Sequence, residues 1–208
     1  MPIFFERDID AFTKLAVWKI EENDAFFSSS VEVQRTITHP HKRLQHLAGR
    51  YLLRYLYADF PTELIQIADT RKPYLEDEAY HFSISHCDDF AAVIVSKKNR
   101  VGVDIEVVSD KIERIQHKFL NDQEKEIIHI TNLITPIQLK TLIWSCKEAV
   151  FKWYGLGEVN FIKHIELAEI CIADEMISTK VLFKKNEDLS LDLHSSFMAD
   201  VCLSYVVS

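Results

Sequence analysis

The chain has 208 residues, 48% hydrophobic and 27% charged, enough to bury one large core or two small ones. A formal net charge of −8 argues against wholesale binding to nucleic acid or to an anionic membrane. No apolar run approaches the roughly 18–20 residues of a membrane span.

The first stretch, MPIFFERDIDAFTKLAVWKIEEND, carries acids early and lacks the basic-then-apolar order of a signal peptide. Cys87, Cys146, Cys171 and Cys202 are scattered and form no C-x-x-C pair, so the expectation is buried thiols in a reducing cytoplasm. Residues 38–54, THPHKRLQHLAGRYLLR, form a basic patch of Lys42, Arg43, Arg50 and Arg54 with three histidines. Its plain reading is a solvated helix face. Residues 46–57 read as a helix, and YHFSISH (80–86) and FAAVIVS (90–96) as strands joined by the turn Cys87-Asp88-Asp89. VGVDIEVV follows as a third strand, and residues 111–130 as one or two amphipathic helices. TPIQLKTLIWSCKEAVFKWYG is the strongest helix, with Gly155 placed to stop it. Short β-like runs fill residues 161–208.

The expected fold class is α+β, a mixture of helices and small, mostly antiparallel sheets. LLRYLYADF echoes VFKWYGLG, and FAAVIV echoes FMADVC, as if a helix-then-strands unit occurred twice. The two halves are expected at 1–100 and 101–208.

Val101, Val103, Ile105 and Val107 alternate with Gly102, Asp104, Glu106 and Val108, the period of a strand. Asp104 and Glu106 therefore project from one face, where two carboxylates repel each other and pay for desolvation. On the helix, Leu142, Ile143, Cys146, Ala149, Val150 and Trp153 make one apolar stripe, with Trp144, Glu148 and Lys152 stacked opposite. Two readings stand side by side. Glu148 and Lys152 make a surface ion pair worth about 0.3–0.5 kcal/mol and the acids decorate a strand end. Or the three carboxylates hold a hard cation such as Mg²⁺, with Lys152 facing the same phosphates. His86 is either a half-buried surface histidine or a phosphate donor, and Pro73 restricts Lys72 to an extended backbone beside Arg71. There is no P-loop and no G-x-G-x-x-G.

In that order, RKPYL, FSISH, GVDIE and WSCKEAVFK resemble the 4′-phosphopantetheinyl transferase superfamily, in its two-subdomain, surfactin-synthetase-activating type. The resemblance runs from about residue 40 to 155. It implies two similar subdomains with pseudo-two-fold symmetry and coenzyme A in the cleft between them. It assigns Asp104, Glu106 and Glu148 to the metal, Mg²⁺ or Mn²⁺. Lys152 and His86 are assigned to phosphates, and Lys72 and Ser85 to coenzyme A. Arg43 and Arg50 are candidates for the 3′-phosphate, since Gln45 occupies one position where the family has a basic residue. The glycine often found before Lys-Pro is Arg71 here. Phe119 and Leu120 match the segment near the acceptor site.

The implied reaction moves the 4′-phosphopantetheine arm of coenzyme A to a serine of an apo acyl or peptidyl carrier protein, releasing adenosine 3′,5′-bisphosphate. Asp104, Glu148 and Lys152 are the expected catalytic residues, with Glu148 as general base, directly or through an ordered water. The expected protein is cytoplasmic and monomeric, without nucleic-acid or membrane partners. Two rivals carry other consequences: a metal-dependent phosphodiesterase or nuclease, which the −8 charge disfavours, and a non-catalytic module that binds coenzyme A or a carrier protein.

Overall fold

Seven consecutive buried residues, Phe90–Ser96, fit a strand with neighbours on both edges. In the computed structural model, which describes residues 3–31, 36–130, 133–173 and 176–208, this strand lies inside a four-stranded sheet. The chain divides into two compact units, Met1–Val101 and Gly102–Ser208.

The first unit opens with strands β1 (Ile3–Asp8) and β2 (Thr13–Lys19), neither foreseen from the sequence, and the short helix α1 (Asp24–Ser28). Helix α2 (Pro40–Leu56) starts well before residue 46, because His39 caps it by accepting from the Lys42 N–H and Pro40 sits in its first turn. A two-residue hairpin, β3 (Gln66–Ile67) and β4 (Pro73–Tyr74), precedes β5 (His81–Cys87) and β6 (Phe90–Ser96). The antiparallel sheet runs β1-β2-β6-β5. Leu47, Ala48, Leu52 and Leu53 of α2 pack on Trp18, Phe82, Val93 and Val95.

The second unit is built on β7 (Val101–Val107), followed by the short helix α3 (Lys111–Ile115), α4 (Asp122–Ile130) and the long α5 (Pro136–Tyr154). Strands β8 (Ile165–Ala173), β9 (Met176–Lys184), β10 (Asp188–Met198) and β11 (Val201–Val207) complete a five-stranded sheet in the order β7-β11-β10-β9-β8. Helix α5 begins in a reciprocal capping box between Thr135 and Gln138 and ends at Gly155, whose φ of 74° is the left-handed stop. Its apolar stripe is the one the sequence indicates: Leu142, Ile143, Cys146, Ala149, Val150 and Trp153 lie in one core with Val181, Phe183, Leu193, Cys202 and Val206.

The two sequence echoes fare differently. LLRYLY and VFKWY close α2 and α5, as a repeat requires. FAAVIV is strand β6, whereas FMADVC spans the β10–β11 turn, with Ala199 at φ 53°. The thiols also divide: Cys146 and Cys202 are buried, whereas Cys171 is exposed and Cys87 intermediate. Cys171 is thus a correction to the expectation of four buried thiols, its edge strand β8 being covered on only one side by β9. No helix among the described residues is long and apolar enough to cross a membrane.

Gly102 sets the spacing between β7 and α5. A Cβ built there would lie 2.1 Å from the Ala149 carbonyl oxygen and 2.8 Å from the Trp153 backbone nitrogen. Because backbone atoms must give way, Gly102→Ala is expected to cost about 3 kcal/mol, the upper part of the usual overpacking range. Urea unfolding of the variant measures this, and an unchanged midpoint would contradict the close approach.

Candidate active site

The two elements that meet at Gly102 carry the candidate chemistry. Two residues along β7 from Gly102 stands Asp104, its side chain 2% exposed, and two further on stands Glu106 on the same face. Helix α5 lines up Trp144, Glu148 and Lys152 opposite its fully buried stripe, each half-buried, with Trp144 packed against the edge of the core. Lys152 Nζ donates to Asp104 Oδ1 at 2.6 Å, and Trp144 Nε1 donates to Glu106 Oε1 at 3.0 Å. The partner found for Lys152 is therefore Asp104, across the element boundary, rather than Glu148 one turn away. Glu148 is pushed up to about 7, first by burial and then by the Asp104 charge, with Lys152 opposing and Glu106 adding to the rise. Beside Trp144 opens a cavity of about 280 Å³, lined by Lys118, Trp144, Val159, Asn160 and Phe161.

The remaining candidates belong to the first unit. Ser85 is buried and His86 exposed, as neighbours on a strand should be. Lys72 is partly buried just before β4, and burial, helped by the Arg100 charge, lowers its pKa to about 8. Arg71 before it has φ 67°, a left-handed conformation that glycine adopts without strain. Arg43 is held in a two-pronged pair by the Asp24 carboxylate, Arg50 is 8% exposed in the middle of α2, and Gln45 donates to the Asp88 carbonyl at 2.9 Å.

Residues 100–206 match the family model of the 4′-phosphopantetheinyl transferase superfamily, a segment that holds β7, α5 and the whole acid set. The chain belongs to that superfamily. It is 33% identical over 115 residues to an enterobactin synthase component D from Salmonella austin, covering 55% of this chain and 48% of that protein. It is 30% identical over 114 residues to the protein of that name from Escherichia coli, covering 53% and 54%. It is 27% identical over 139 residues to an L-aminoadipate-semialdehyde dehydrogenase-phosphopantetheinyl transferase from Candida glabrata, covering 62% and 52%. The chain spans about half the length of the curated relatives it matches.

The donor set suits a divalent ion. Asp104, Glu106 and Glu148 are three hard oxygen donors close enough for the first two to raise the pKa of the third, which is the chemistry a small divalent cation relieves. As the side chains lie, no three His, Cys, Asp or Glu groups among the described residues are arranged around one ion. Asp104 is engaged by Lys152 and Glu106 by Trp144 instead.

Phe119 and Leu120 are a correction. Read as carrier contacts from the sequence, they are 0% and 2% exposed and belong to the second unit's core. The Phe119 ring packs tilted against Trp144 with centroids 5.1 Å apart, and its carbonyl accepts from the buried Lys147 at 2.6 Å. Trp144 and Lys147 are the residues whose part in the site the sequence reading missed.

Proposed function

We propose that this protein transfers the 4′-phosphopantetheine arm of coenzyme A to a serine hydroxyl of an apo acyl or peptidyl carrier protein. The observation that supports the reading is the acid set of β7 and α5, Asp104, Glu106 and Glu148 with Lys152, inside the segment that matches the family.

The serine oxygen forms a bond to the β-phosphorus of coenzyme A. The bond from that phosphorus to the bridging oxygen breaks, and adenosine 3′,5′-bisphosphate leaves. Glu148 takes the serine proton, directly or through one water. Lys152 carries a positive charge to the transferring phosphate, where it offsets charge that grows in the transition state. Asp104, Glu106 and Glu148 would hold Mg²⁺ or Mn²⁺, which supplies neutralisation of the pyrophosphate oxygens. His86 and Lys72 are assigned to phosphate and coenzyme A contacts, with Ser85. Of the two arginines, Arg43 already has Asp24 as a partner, which a 3′-phosphate must displace or share. The cavity beside Trp144 suits a narrow, flexible arm with both apolar and amide groups. We place the enzyme in the cytoplasm as a monomer.

The test weighs the acceptor. Apo carrier proteins from fatty-acid, polyketide and peptide synthesis are incubated with the protein, coenzyme A and Mg²⁺. A mass gain of one phosphopantetheine is the expected result, and no gain on any of the carriers defeats the reading.

A further inference from the structure

Each acid of β7 is already engaged by a side chain of α5, but by groups of different kind. Glu106 accepts from an indole N–H, a neutral donor that leaves its charge in place. Asp104 accepts from an ammonium at 2.6 Å, which cancels its charge. Asp104 is almost wholly removed from water, at 2% exposed, so mobile salt cannot balance it. The Lys152 side chain is 25% exposed, and its flexible stem leaves it a path out to solvent without moving the helix.

Lys152 is on Oδ1, and a divalent ion on either oxygen of the Asp104 carboxylate would lie close to that ammonium; two cations crowded on one buried carboxylate repel strongly. An anion that can draw the ammonium away resolves the conflict, and the phosphates of coenzyme A are such anions.

We propose that Lys152 is the resident counter-cation of Asp104 before loading, competing with the divalent ion for that carboxylate until coenzyme A phosphates draw it off. The inference rests on the proposed function and adds an order to it. Divalent ion alone binds weakly, and ion and coenzyme A each tighten the binding of the other by the same factor.

Manganese titration followed by electron paramagnetic resonance of free Mn²⁺ tests this on the intact protein. Without coenzyme A, Lys152→Gln is expected to bind Mn²⁺ about ten-fold more tightly than the wild type, within the usual range of such couplings. Lys152→Arg keeps the competing charge and is expected to bind as weakly as the wild type. With saturating coenzyme A, the wild type is expected to close most of the gap. Should Lys152→Gln fail to fold by circular dichroism, Lys152→Met gives the same readout. A folded, charge-free variant that binds Mn²⁺ no more tightly than the wild type overturns the proposal, as does a wild type indifferent to coenzyme A. Carrier mass, measured on the same wild-type sample, separates the two ideas. Transfer with no change in Mn²⁺ affinity removes only the competition, whereas no transfer removes the function it rests on.

Discussion

Lys147→Met is expected to lower the free energy of unfolding by about 3–5 kcal/mol, the usual cost of breaking a buried ion pair from one side. Lys147 and Glu124 are both 0% exposed and 2.7 Å apart. The ammonium uses all three of its donors, on Glu124 Oε2, the Phe119 carbonyl at 2.6 Å and the Phe161 carbonyl at 3.0 Å. Glu124 caps the start of α4 by accepting from the Asn121 N–H at 2.9 Å, and it also accepts from the Leu167 N–H at 3.1 Å. Burial lowers the Lys147 pKa, and the Glu124 charge acts against that fall. Methionine fills the space yet leaves a buried carboxylate without its cation and two carbonyls without their donor. Adding Glu124→Gln removes the stranded charge but keeps an acceptor for only one of the Asn121 and Leu167 N–H groups, which use different carboxylate oxygens, so the double variant is expected to recover part of the loss. Urea titration of the three proteins decides this, and a single-variant cost below about 1 kcal/mol would contradict a fully desolvated pair. The pair also reaches the site. The carbonyls it holds belong to Phe119 and Phe161, whose rings flank Trp144 at 5.1 and 5.4 Å, and Trp144 holds Glu106.

The acid set was legible because two short-range rules are enough to build it. The strand period puts Asp104 and Glu106 on one face, and the helical period stacks Trp144, Glu148 and Lys152. The strands β5 and β6 and the C-terminal limit of α5 were readable for similar reasons, from their short apolar runs and from Gly155. What failed needed tertiary information. Phe119 and Leu120 sit between polar residues, and nothing local says that their side chains turn inward. They join the second unit's core, and Lys147, 28 residues on, holds the Phe119 carbonyl there. Lys147 itself left a faint trace, lying four residues after Ile143 and three before Val150, both buried, on the edge of the apolar stripe. A lysine beside a glutamate normally signals a wet surface, and only a buried partner such as Glu124 reverses that. Arg43 is similar. The sequence shows an arginine in a basic patch, and the Asp24 that claims it lies on another helix.

Glu148→Gln is expected to raise stability at pH 8 while removing transfer. The folded protein holds the Glu148 proton to about pH 7, against an ordinary value of 4.5, chiefly because the carboxyl is buried and next because Asp104 lies close. Between those two values the folded state binds more protons than the unfolded chain, so stability falls as pH rises and levels off above the higher one. Over that window the loss comes to about 2–3 kcal/mol, since the side chain is only partly shielded from water. Glutamine never ionises. Without divalent ion, the variant is therefore expected to exceed the wild type by about that amount at pH 8 and to match it near pH 4.5. The same substitution takes away the base, which is worth about 10²- to 10⁴-fold in turnover, and it is expected to leave coenzyme A affinity largely intact. Thermal melts at the two pH values, with calorimetric binding and carrier-mass assays, read all three quantities. A variant no more stable than the wild type at pH 8 would show that Glu148 is ionised without penalty. Equal losses of coenzyme A affinity and turnover would sink the base assignment. A gain in stability joined to a loss of transfer means that the fold carries a destabilised carboxylate at a position the proposed reaction uses.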